Sequence, residues 1–132
     1  MARAWWRLGR VDEARESCGQ AAGILAPTPL PRYVRPVEAM RACIDGDVEA
    51  AIAALRGAQE HCGPAVADEV ALDVGELVVR QGEGREMQAF VELSQRVVHG
   101  TVGPRVRALG KRVKARLGEA AEWTLTEGQR KR

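Results

Sequence analysis

Three glycines at nearly constant spacing set the frame for this chain. Gly9, Gly46 and Gly82 stand 37 and 36 residues apart, and each comes five residues before a small or apolar side chain, Ala14, Ala51 or Met87. A period in the thirties is the mark of a helical repeat array, in which one helix pair follows another with a turn between them. Such a chain cannot bury its apolar stripes within a single pair. It must stack its pairs, and the outcome is a surface for holding something else.

The 132 residues are one domain by length. Apolar residues make up 45% and aromatic residues only 4%, with alanine, valine and leucine dominant, which favours close-packed helices over a sheet sandwich. No apolar run nears the length of a membrane span, and the first residues lack a signal-peptide pattern. Cys18, Cys43 and Cys62 are an odd set without a Cys-x-x-Cys pair, which fits a reducing cytoplasm better than a disulfide framework. The formal charge of +2 hides an asymmetry: residues 1–100 carry 11 basic against 15 acidic side chains, and residues 101–132 carry 9 against 3.

Periodicity predicts seven helices and no strand. Met1 to Leu8 reads as a helix end. Asp12 is placed to cap a second helix with the stripe Ala14, Cys18, Ala21, Ala22 and Leu25. The segment Pro27-Thr-Pro-Leu-Pro31 stops it, as a stiff spacer or, in a second reading, as a proline-rich recognition ligand. A third helix is expected from Pro36 to Ile44, and a fourth from Val48 to Cys62 behind an Asp47 cap. A fifth runs to Arg80 with Val66, Val70, Val74, Leu77 and Val78 inward, and a sixth from Arg85 to Val98 with Met87, Phe90, Val91 and Leu93 inward. Arg105 to Ala121 is a strongly basic seventh, and 122–132 reads as a flexible basic tail.

The three units resemble tetratricopeptide repeats. Met1, Ala2, Trp5, Gly9, Ala14, Cys18 and Ala21 match that pattern in the first unit, and Ala39, Gly46, Ala51, Leu55 and Ala58 in the second. Val74, Gly75, Val78, Gly82, Val91 and Ser94 match in the third, and Leu109, Gly110 and Val113 keep the register in the last helix. The resemblance implies an all-α fold: antiparallel helix pairs stacked as a short solenoid over residues 1–121, with units near 1–31, 32–63 and 64–100 and a capping helix 103–121. Small residues at the crossings let backbones approach closely. A bulky replacement there overpacks the seam at about 1–3 kcal/mol.

The same register implies a function. It puts Trp5 in the core and Trp6 on the concave face, together with Arg3, Arg7, Tyr33, Met40, Glu76, Arg80, Arg107, Lys111 and Lys114. The expectation is a cytoplasmic, non-enzymatic module that holds a protein or peptide in that groove, without cofactor or metal, and with self-association as one use of the surface. His61-Cys62 lacks the further ligands of a zinc site, adjacent helical residues diverge too far for a Cys–His pair, and no phosphate-binding glycine loop is present. The run Arg105–Arg116 holds six basic residues and no acidic one, with Val106, Leu109 and Val113 on its apolar face. A solvated cap, an acidic partner surface and nucleic-acid contact are all compatible with it. A second resemblance lies at the end: Leu125, Thr126 and Gln129 look like the onset of the helix-turn-helix in large LuxR-type bacterial regulators. It implies, alternatively, a regulatory or oligomerisation arm lacking its DNA-binding head.

Overall fold

The computed structural model describes residues 2–96 and 102–130, and side chains as far as 118. Among the described residues the chain is all-helical: α1 (Ala2–Arg7), α2 (Val11–Leu25), α3 (Pro31–Asp45), α4 (Val48–His61), α5 (Pro64–Gln81), α6 (Gly84–Ser94) and α7 (Gly103–Arg130). The readings on Met1, Val98, His99, Gly100 and the last two residues fall outside the described part, as do the side chains of Leu125, Thr126 and Gln129.

Two of the three spaced glycines do the same job. Gly9 and Gly46 both take a left-handed conformation, φ 79° and 71°, which glycine reaches without a Cβ clash. Arg10 N–H donates to Trp5 O at 2.9 Å, and Asp47 N–H to Ala42 O at 2.9 Å, so both turns close the preceding helix by the same wide hydrogen bond. Gly82 differs. It is extended at φ −68° and ψ 143°, and the turn is completed by a reciprocal cap in which Glu83 N–H donates to Glu86 Oε1 at 2.8 Å.

Helix limits follow the sequence signals except at four places. Asp12 caps nothing: the residue before α2 is Arg10, without a side-chain cap, and Asp12 lies in the first turn, where its charge still suits the helix dipole. Asp47 does cap α4, accepting Ala50 N–H at 3.1 Å. Helix α3 starts at Pro31 rather than Pro36, because proline is well suited to a first helical position and Pro36 then withholds only one interior N–H. The carbonyl left over is that of Arg32, and the Cys62 thiol donates to it at 3.4 Å. Helix α6 ends at Ser94, short of Val98, and α7 runs on through Arg130 where a flexible tail was expected from 122.

Packing is by sequence neighbourhood. Each helix packs on the next, and α3, α5 and α7 also pack side by side, as do α4 and α6; among the described residues no pair more than two places apart has its backbones in contact. The crossings are tight. A methyl group on Gly75 would lie 2.5 Å from Phe90 Cζ, and one on Gly110 would lie 2.3 Å from Ser94 Oγ. Ala14, Ala51, Ala58 and Ala71 are fully buried at other contacts. Val66, expected inward, is partly exposed on the first turn of α5.

Candidate binding face

The chain's main polar cluster joins α1 to α5 across the intervening α3. Asp73 sits mid-helix in the run Val70–Gly75 and is only 2% exposed. A carboxylate so deep requires donors. Arg3 Nε donates to it at 2.7 Å and Arg7 Nη2 at 2.9 Å. Arg3 also donates to Glu69 Oε2 at 3.1 Å, and Arg7 Nη1 stands 3.8 Å from Glu76. Glu69, Asp73 and Glu76 recur at helical spacing along α5, so a single carboxylate stripe meets a single arginine stripe. Burial pulls the Arg3 guanidinium down, but the Asp73 and Glu69 carboxylates outweigh it and hold Arg3 above its ordinary value.

This geometry reverses the expected roles of the two tryptophans. Arg3, Trp6 and Arg7 share one stripe of α1, at steps of three and four residues. When the arginines turn toward Asp73, Trp6 turns with them. It is 7% exposed, next to Cys43 and Leu77, with the Arg80 guanidinium 5.6 Å from its ring centroid. Trp5 is the half-buried ring, covered by Arg10 at 5.0 Å. Met40 is buried as well. The structure therefore places Arg3, Trp6, Arg7, Met40, Glu76 and Arg80 near one another. Trp6 and Met40, however, belong to the packing beneath the surface, and Arg3 and Arg7 are ion-paired within it.

The more open part of the face lies between α5 and α7. Arg80 is exposed, and Val79 is half-buried. On α7 the register shifts from the expected one. Arg116 donates from Nη1 to Val79 O, and Leu109, two turns earlier on the same side, reaches Gly75, so this side of α7 lies against α5. Arg112 and Arg105 stand one and three helical turns earlier on that side. Arg107, Lys111 and Lys114 are exposed too, but they flank Gly110, which meets Ser94 of α6. Tyr33 is 49% exposed on the first turn of α3, its ring under Arg32 at 4.9 Å.

The cysteines are held as thiols. Burial, reinforced by the Asp73 charge and partly offset by Arg3, pushes Cys43 up to about 12. Burial also raises Cys18 and Cys62. A thiolate nucleophile is disfavoured at all three. Among the described residues no three His, Cys, Asp or Glu side chains cluster to hold a metal ion, and no helix is long and apolar enough to cross a membrane.

Asp73 is the residue the periodicity argument missed. Its signal was legible: a lone acid inside an otherwise apolar run, in phase with Glu69 and Glu76. No family model matches the chain, and no curated protein or solved structure matches it either.

Proposed function

We propose that this chain is a non-catalytic helical-repeat module of the tetratricopeptide kind that holds a segment of a protein partner. The observation that carries this reading is the packing pattern. Among the described residues backbones touch only between helices one or two places apart, with glycine and alanine at the crossings, as in arrays built to present an extended face. The partner segment is proposed to lie along α5 and α7, where Arg105 and Arg112 are exposed and Val79 is half-buried.

Affinity capture from lysate, read by quantitative mass spectrometry, tests the proposal. The intact chain is compared with Arg80→Gln, a substitution at an exposed α5 position that avoids setting a second acid beside Glu76. Partners recovered by the intact chain and depleted by the variant, with an unchanged melt, are the expected result. Equal recovery by both would remove the reading.

A further inference from the structure

We infer that the seam between α5 and α7 receives an acidic amphipathic segment, with carboxylates laid along the Arg105–Arg112–Arg116 stripe and an apolar side chain on Val79. The inference rests on the binding-module reading and names its partner chemistry.

Three observations lead to it. First, Arg105 and Arg112 are exposed, have no carboxylate partner among the described residues, and stand on one side of a single helix, whereas Arg56, Arg85 and Arg96, also without such a partner, are spread over two helices and a turn. A row of unpaired guanidinium groups on a rigid helix is preorganised for carboxylates, which it can engage bidentately. Second, the row has an apolar neighbour: Val79 is half-buried, packed against the core, and its carbonyl is fixed by Arg116. A ligand that matches both must carry an apolar side and an acidic side, as an amphipathic helix in a groove does. Third, the carboxylate of Glu76 flanks the same seam on α5, and no described aromatic side chain lies along the stripe. A phosphate backbone would meet that negative charge and find no ring for base stacking. A peptide can avoid it by placing its acids on the α7 side only.

Fluorescence anisotropy with the full chain tests this. The probe is a labelled peptide of about 14 residues with glutamates at three- and four-residue steps beside a leucine stripe. Its controls are a scrambled peptide of the same composition and a labelled single-stranded thymidine oligonucleotide. The amphipathic peptide should bind at least about tenfold tighter than its scramble, with affinity falling as salt rises. Arg105→Glu with Arg112→Glu should lose about tenfold or more, while Lys111→Glu with Lys114→Glu, the same charge change one stripe away, should lose less than about threefold. Arg105→Gln with Arg112→Gln repeats the test without charge reversal if the first pair disturbs the melt. Equal binding of the scramble, equal loss from both stripes, tighter binding of the oligonucleotide, or no peptide binding would each overturn the inference. Arg80-sensitive capture of non-acidic partners in the same preparation would leave the module reading standing without it.

Discussion

Helices α2 and α5 are of similar length and opposite character. Ten of the 18 residues of α5 are buried, against two of the 15 in α2. The central helix packs on α3, α4, α6 and α7 and takes the arginines of α1; α2 packs on α1 and α3 alone, and unlike α4 and α6 it makes no backbone contact with the next even-numbered helix. A cleft of about 240 Å³ lined by Ala22, Leu25, Val34 and Val37 opens between α2 and α3. Nearly all the exposed large apolar side chains lie in this same stretch, from Leu8 at 71% to Tyr33. The contrast shows that stability in this chain is graded. The α1–α2 pair is held mainly at Ala14, Cys18, Trp6 and the ion pairs to Asp73, and α5 is held by four neighbouring helices. Elements with few buried contacts open first.

The largest effect should come from the centre. Phe90 is fully buried and its ring lies over Gly75, where α5, α6 and α7 meet. Phe90→Ala should cost about 3–5 kcal/mol, the range for deleting a buried aromatic ring. Chemical denaturation of the whole chain would register it as one cooperative loss. A cost under about 1 kcal/mol would mean that α5 is not the hub.

Asp73→Asn should come next, and its effect should be local. Removing one partner of a buried ion pair is expensive when the other charge stays buried. Here the arginines keep substantial exposure, 40% and 31%, so water can receive them and the loss falls to about 1–2 kcal/mol. Hydrogen exchange should speed up in α1 and α2, with α5 to α7 unchanged. Uniform loss of protection would erase the distinction between the two regions.

The success of the sequence reading divides along the same line. Turns whose chemistry is local were legible: Gly9 and Gly46 occupy left-handed positions that glycine fills best, and Asp47 is a short acid before an apolar run. The inward stripe of α5 was legible from Val70, Val74, Leu77 and Val78 because burial on several sides overrides helix rotation. The sides of α1 and α7 were not. A six-residue helix carries less than two turns of pattern, so the sequence could not show which tryptophan faces α5; a buried acid more than sixty residues away decides it. On α7 basic residues occupy both flanks of the apolar stripe, and only the tertiary contacts of Leu109 with Gly75 and of Gly110 with Ser94 show which flank borders α5.

Thiol labelling should resolve the gradient without any mutation. Burial raises all three thiols, Cys43 by a large amount, so access and thiolate fraction both make Cys43 the slowest to react. Cys62, part-exposed beside Arg32, should react first. Cys18 is buried, but it lies on the loosely held α2, and should follow through local opening. Cys43, enclosed beside Asp73, should react last, at a rate that tracks global unfolding. Equal rates for Cys18 and Cys43 would show that the α1–α2 pair does not open separately.

The smallest effect should be at Ile24. It is 79% exposed on the outer side of α2, so its side chain contributes almost no burial to the fold. Replacing it with glutamate removes β-branching from a helix, a gain of a few tenths of a kcal/mol, and adds an acid near the C-terminal end of α2, where the helix dipole opposes it by a similar amount. The two nearly cancel, and Ile24→Glu should leave the melt within about 0.5 kcal/mol of the parent. Solubility should rise, because the change breaks up the apolar stretch from Leu8 to Tyr33. A loss above about 1 kcal/mol would mean that something packs on α2 in solution, such as a second copy of the chain, and dilution would then reduce the loss.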